Sequence, residues 1–339
     1  MFKIGICSFR ERMKKVLSVF LIVVMLFSVT AFAEESHYPV TISNYDGYID
    51  SNKGAVVEQT FESCPQRIVS ISQAATEVLI ALGVQDKIVG TAHKHSPVYE
   101  PFADIYNAIP FMVDGRGYPS KEVMIAYEPD LIVGWGSLFD TDAMGSVLDW
   151  HEKGIHTYIM NNTVPGLGDR KVSWILDDID KLGKILDVED RANELIDEIQ
   201  TRLDAVAEKT SIIPEDKKPT IATVQYMYEN SYLGRASTDL TTDIIKLSGG
   251  ISLDENGGEQ SLEVLIDKNP DIIMVIDLTA SPADETIAAI KANESLKNVT
   301  AVKNDNFLVI EHAAFYCDCL RTIEAVESLA DLMVQNYAA

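Results

Sequence analysis

His93 and His95 stand two residues apart in TAHKHS, and His312 follows an apolar stretch near the other end of the chain. Imidazole suits zinc, copper, iron and nickel, so these three with a carboxylate could hold a metal ion, although paired histidines in a surface loop are the commoner arrangement. Four cysteines are too few for a disulfide scaffold, and no spacing among them fits a structural zinc site. Cys317 and Cys319 flank Asp318, a separation that a disulfide spans only with strain, and Cys64 is remote in sequence. There is no G-x-S-x-G elbow, Walker lysine loop, G-x-G-x-x-G turn or H-E-x-x-H helix. No nucleophile–base pair stands out either, so the chain is expected to bind rather than catalyse.

The elements that must hold these side chains follow from hydrophobic periodicity. Residues 38–47, YPVTISNYDG, alternate apolar and polar types into a turn, as a hairpin does. Residues 68–71 predict a short strand, 74–82 a helix closed by Gly83, and 88–91 the next strand. A helical turn at 122–127 is stopped by Pro129 before strand 131–133. Over 169–209 apolar residues fall at helical spacing opposite a charged face, with a break at 187–190. The second helix, 188–209, spans roughly 30 Å at 1.5 Å per residue. Strand 221–226, helix 239–247, strands 272–276 and 307–310 and a terminal helix 322–334 follow. One segment recurs: EVMIAYEPDLI at 122–132 aligns without gaps to EVLIDKNPDII at 263–273. Each copy is a short helix, a Pro-Asp break and an apolar strand, so the chain reads as two similar α/β lobes bridged by a helix.

With 47% hydrophobic and 24% charged residues, the 339-residue chain has ample material for packed domains. A net charge of −24 repels phosphate backbones and anionic lipid, which excludes a nucleic-acid binder. Residues 16–29 are uncharged and apolar, preceded by Lys14 and Lys15 and followed by Ala31-Phe32-Ala33. That pattern predicts a signal peptide cleaved after Ala33, and 14 apolar residues are short for a bilayer core of roughly 30 Å. Translation from Met13 would give the same signal. No cysteine follows the run at a lipoprotein cleavage site, so a periplasmic location is expected. The layout is then 1–33 signal peptide, 34–66 lead-in hairpin, 67–168 N-terminal lobe, 169–213 helical connector and 214–339 C-terminal lobe.

RIVSISQAATEVLIALGVQDKIVG at 67–90 resembles the opening of extracytoplasmic binding proteins of the iron-siderophore, haem and cobalamin uptake class. YPVTISNYDG and PSKEVMIAYEPDLIVGWG at 119–136 share the resemblance, which runs from Tyr38 to the terminal helix and in the second half rests on layout. It implies two Rossmann-like α/β lobes joined by a single long rigid helix, a ligand cleft between the lobes, and a monomer that hands its ligand to an ABC permease and its ATPase. It also implies docking through one glutamate on each lobe, at positions matching Glu122 and Glu263. Exposed carboxylates there would supply steering more than affinity.

In α/β sheets ligands bind beyond the carboxyl ends of the strands. That selects Ser72, Gln73, His93, His95, Trp135 and Phe139 in the first lobe. In the second it selects Tyr226, Met227, Tyr228, Phe315, Tyr316 and Arg321. Aromatic faces suit a flat or greasy chelate, and Arg235 or Arg321 could pair with its anionic groups. Two arginines are few for a catecholate siderophore, which leaves a ferric hydroxamate, haem or cobalamin. Tyr226, Tyr228, Met227, His93 and His312 are each candidate axial ligands to haem iron. The other readings are a bare zinc or manganese carrier, and an extracytoplasmic sensor or enzyme on the same frame.

Overall fold

The computed structural model of the protein describes residues 37–49, 52–113, 117–139, 144–164, 167–316 and 319–338. The expected signal peptide and Cys317 lie outside them. No helix among the described residues is long and apolar enough to cross a membrane.

The alternation at 38–47 becomes half of a hairpin. β1 (Val40–Tyr45) pairs antiparallel with β4 (Val56–Phe61), and the two-residue β2 (Tyr48–Ile49) and β3 (Asn52–Lys53) pair between them. Four apolar runs then form a parallel sheet: β5 (Ile68–Ser70), β6 (Ile88–Thr91), β7 (Leu131–Gly134) and β8 (His156–Ile159), in the order β6-β5-β7-β8. Their near-complete burial is what crossover helices on the faces of a parallel sheet produce. The crossovers are α1 (Gln73–Ala81), α2 (Ala103–Ala108), α3 (Lys121–Ala126) and α4 (Val147–His151). Ser72, Ser120 and Ser146 cap α1, α3 and α4 through their hydroxyl oxygens.

The outer edge of β8 is sealed by side chains of the hairpin. The Asn44 amide accepts from the Ile159 N–H at 2.8 Å and donates to its carbonyl at 3.0 Å. The Gln59 amide does the same for Thr157, at 3.1 and 2.8 Å. Two primary amides thus stand in for a fifth strand, which answers the open-edge problem of β8.

The connector is a helix pair, α5 (Trp174–Leu186) and α6 (Glu189–Thr210), the latter within one residue of the expectation at each end. Asp187 breaks the run in left-handed conformation, φ 56°. Gly183 lets the two helices cross closely: a Cβ there would sit 2.4 Å from that of Ala192. Arg202 on α6 makes a bidentate pair with Glu327 at 2.8 and 2.7 Å, tying the connector to the C-terminal helix.

The second lobe contains β9 (Thr220–Met227), β10 (Ser231–Gly234), β11 (Ile251–Ser252), β12 (Gly258–Ser261), β13 (Ile272–Asp277) and β14 (Phe307–Glu311). Its parallel members run β11-β9-β13-β14, repeating the first lobe, and β10 and β12 are antiparallel additions. Its helices are α7 (Leu240–Leu247), α8 (Leu262–Lys268), α9 (Ala283–Ala292), α10 (Thr300–Lys303), α11 (His312–Tyr316) and α12 (Leu320–Tyr337). Residues 40–339 belong to one compact unit.

The internal repeat is structural. Ser120 caps α3 and Ser261 caps α8, and each helix leads through Pro-Asp into β7 or β13. The aspartate after each proline then pins the lobe's first strand. Asp130 accepts from the Gln66 and Arg67 N–H groups at 2.7 and 2.8 Å, and Asp271 from the Thr220 N–H and hydroxyl at 2.9 and 2.7 Å.

Candidate functional site

In the first lobe, β6 ends at Thr91 and the chain turns at His93, whose φ of 61° is left-handed. A histidine held there is strained, and such strain is stored at functional sites. The turn puts His93 and His95 edge to face, ring centroids 4.0 Å apart. His95 stacks on Trp135 at 4.9 Å with parallel planes, and His93 stacks on Tyr118, whose hydroxyl is 2.9 Å from its Nε2. Trp135 is fixed from behind, because its Nε1–H donates to the Ser72 hydroxyl at 2.8 Å. Gln73 anchors the histidine loop, accepting from the His95 and Ser96 N–H groups at 3.1 and 3.0 Å.

The second lobe supplies α11, which begins where β14 ends. Its spacing sets Phe315 and Tyr316 one turn beyond His312, so all three rings share a face. His312 stacks on Tyr316 at 5.0 Å and meets His95 at 4.8 Å, and Tyr316 lies 4.7 Å from Trp135. Arg235 covers the Phe315 ring at 5.0 Å while paired with Asp239 at 3.0 Å. The two lobes therefore close an unbroken patch of imidazole, indole and phenol rings at the carboxyl ends of their strands. In this closed arrangement His93, His95, Trp135, His312 and Phe315 are buried against one another and Tyr118 is exposed. The cluster holds π faces, nitrogen and phenol ligands, and little fixed charge.

Beside this patch a polar seam joins the lobes. Residues 95–99 bond in turn to the second lobe: the His95 carbonyl accepts from Thr279 at 2.9 Å, and the Ser96 hydroxyl from the Ala313 N–H at 3.2 Å. The Pro97 carbonyl accepts from Arg321 at 2.8 Å, and the Tyr99 hydroxyl donates to Glu324. Beneath them Arg321 forms a bidentate pair with Glu77 of α1, both side chains buried. Burial pushes the Glu77 carboxyl above its ordinary value and the guanidinium pulls it back.

Of the sequence-selected residues, His93, His95, Trp135, Phe315 and Tyr316 meet in the patch, joined by His312. Arg235 lies against it. Ser72 and Gln73 are adjacent but engaged in positioning Trp135 and the histidine loop. Phe139 is fully buried in the first lobe's core, and Arg321 is committed to the seam. Tyr226 and Tyr228 pair with each other at 4.9 Å, both exposed, and Met227 packs against the second lobe's core. Tyr118, Glu77 and Thr279 were not selected from sequence. Glu122 and Glu263 are exposed in the first turns of α3 and α8, equivalent places in the repeat. A hydrogen bond from Ser120 holds the Glu122 carboxyl below its ordinary value. Cys64 and Cys319 are unbridged thiols, and burial pushes Cys319 up to about 12.

Comparison with known proteins gives the fold a place. The periplasmic binding protein family matches residues 68–314. The chain belongs to that family. The match runs from the first residue of β5 into α11, so it includes both strand-end clusters, while the capping hairpin and α12 flank it. Among relatives, the uncharacterized ABC transporter substrate-binding lipoprotein YvrC of Bacillus subtilis (strain 168) is 22% identical over 298 residues, covering 87% of this chain and 85% of that one. A periplasmic binding protein from Veillonella parvula superposes with a TM-score of 0.75 at 25% identity, over 89% of this chain and 99% of that one. An ABC-type Fe3+-hydroxamate transport system structure from Saccharomonospora viridis gives 0.70 at 23%, over 87% and 99%. The apo haem-binding protein RhuT from Roseiflexus gives 0.65 at 17%, over 81% and 99%.

Proposed function

We propose that this family member captures an iron chelate, a ferric hydroxamate or haem, between its lobes outside the cytoplasm and delivers it to an ABC permease and its ATPase. The observation that carries this is the ring patch drawn from both lobes at the strand ends. With the lobes parted, these rings would give a flat or greasy chelate area and stacking, and His93, His95, His312, Tyr118 and Tyr316 are candidate ligands to the metal. With Arg321 engaged by Glu77 and Glu311, and Arg235 by Asp239, the patch has little spare positive charge. A weakly charged chelate fits better than a catecholate, and cobalamin remains the alternative of the same class. Residues 1–33 would direct export, and the protein would act as a monomer without catalysis.

The test is Trp135 fluorescence, titrated with a ferric hydroxamate, a ferric catecholate, haemin and cyanocobalamin and corrected for their absorption. Saturable quenching by one of the neutral or weakly charged chelates, diminished in Trp135→Phe, is expected. No response to any of the four would overturn the reading. The close approach of three imidazoles favours a bare zinc or manganese carrier as the second reading, and stoichiometric metal that survives dialysis against a chelator would replace the first with it. Docking is tested separately: Glu122→Ala with Glu263→Ala should keep chelate binding and lose uptake, and unchanged uptake would remove that role.

A further inference from the structure

The two lobes end their parallel sheets differently. In the first lobe, Ile132 pairs with Thr157 and Gly134 with Ile159. The repeat places Ile273 and Val275 at the equivalent positions, and these pair with Phe307 and Val309. His156 and Met160 donate their N–H groups inward to β7, and the Asn306 carbonyl accepts inward from Ile273. Successive residues of a strand alternate direction, so Thr157 and Ile159 point outward, and so do Phe307 and Val309. The outward groups of Thr157 and Ile159 are taken by the amides of Gln59 and Asn44. Among the described residues no hairpin precedes the second lobe to do this for β14, and β13 is the only strand paired with it.

A groove of about 580 Å3 runs along that edge. All five residues 307–311 line it consecutively, as they would for a channel beside the strand rather than over one face. The opposite wall is one face of α12, with Ala325 and Ser328 leaving room and Leu329 and Leu332 supplying apolar surface. Val309 is 53% exposed within it. Glu100, Glu311 and Glu324 also line the groove, while Arg321, the one cation among its described lining residues, is engaged by Glu77, Glu311 and the Pro97 carbonyl.

We propose that the β14 edge is a docking site for an extended peptide segment of alternating apolar and basic residues, which adds to the second lobe's sheet as a further strand. Backbone pairing at Phe307 and Val309 would supply affinity, and Glu100 and Glu324, with Glu311 already shared with Arg321, would select lysine or arginine. An acidic partner, including a second copy of this chain, would be repelled.

The probe is acetyl-Lys-Val-Lys-Val-Lys-Val-Lys-amide, followed by amide NMR on the labelled full chain. Saturable shifts and slowed hydrogen exchange at Phe307 and Val309 are expected. The peptide with glutamate in place of lysine, and the peptide N-methylated at alternate residues, should bind at least tenfold more weakly. Val309→Pro removes one outward N–H and should weaken binding likewise, its spectrum elsewhere showing that the fold is kept; Glu100→Lys should do so through charge alone. Absence of protection at Phe307 and Val309, or equal binding of the N-methylated peptide, would overturn the proposal. So would saturable binding of a small cationic amphiphile such as dodecyltrimethylammonium in the groove with none of the peptide, which would make the groove a lipid-like pocket.

Discussion

Replacing Arg321 with methionine tests whether the buried pair fastens the lobes. Arg321 reaches Glu77 through Nε at 3.1 Å and through Nη2, with the carboxylate fully buried. Arg321→Met keeps most of the side-chain volume but strands that carboxylate, a change that costs about 3–5 kcal/mol when one partner of a buried pair is lost. At about 2 °C per kcal/mol for a chain of this size, the melting temperature should fall by roughly 6–10 °C. The loss should also depend on pH. Burial already pushes the Glu77 carboxyl up, and Arg321 is the main counterweight. Without it the folded-state pKa rises further above the unfolded one, so stability is kept below pH ~4 and lost as pH climbs through the folded value. Scanning calorimetry at pH 4 and pH 7 on wild type, Arg321→Met and Arg321→Met/Glu77→Leu reads both effects, and the double variant should recover most of the loss. A deficit under about 1 kcal/mol at pH 7, or one equal at the two pH values, would refute the assignment.

Burial lifts Asp178 to about 8, with its carboxylate oxygens accepting from the Tyr158 hydroxyl and the Asn161 N–H. The folded state therefore holds this proton where the unfolded state has lost it, and stability should fall by about 1.4 kcal/mol per pH unit between roughly pH 4 and 8. Asp178→Asn should flatten that slope in urea titrations, and an unchanged slope would exclude Asp178 as its source. Asn44→Ala uncovers the N–H and carbonyl of Ile159, at ~1–3 kcal/mol for each orphaned group; faster exchange of the Ile159 amide and a lower urea midpoint are the readouts, and wild-type values would show that the edge needs no cap. His93→Asn keeps a residue that tolerates left-handed backbone while removing a ring from the patch. Its melting temperature should change little while chelate affinity drops at least tenfold, and unchanged affinity would take His93 out of the site.

The repeat, the long helix and the strand-end aromatics were legible because each rests on local signals: a Pro-Asp break, a 3.6-residue period, or a ring just after an apolar run. β10 and β12 were not, since SYLG and GEQS carry too little alternation to mark a strand, and β12 exists only by pairing with β10. The site's members were read better than their roles. Ser72 and Gln73 sit beside the patch, as the strand-end rule places them, but their partners come from 63 and 22 residues away. Arg321 finds Glu77 across 244 residues, a contact that no local pattern announces. Tyr118 has no apolar strand before it, so nothing in its neighbourhood marked it as a companion of His93.

The amides that close the β8 edge also set an order of events as the chain emerges N-terminus first. Asn44 and Gln59 emerge 115 and 98 residues ahead of the groups they bind. Over that interval the hairpin has no sheet to rest on. The reverse arrangement would be worse. Had the hairpin followed β8, a bare strand edge would have waited for its cover; here the cover precedes the edge, and the most adhesive surface of the first lobe is closed as soon as it is made.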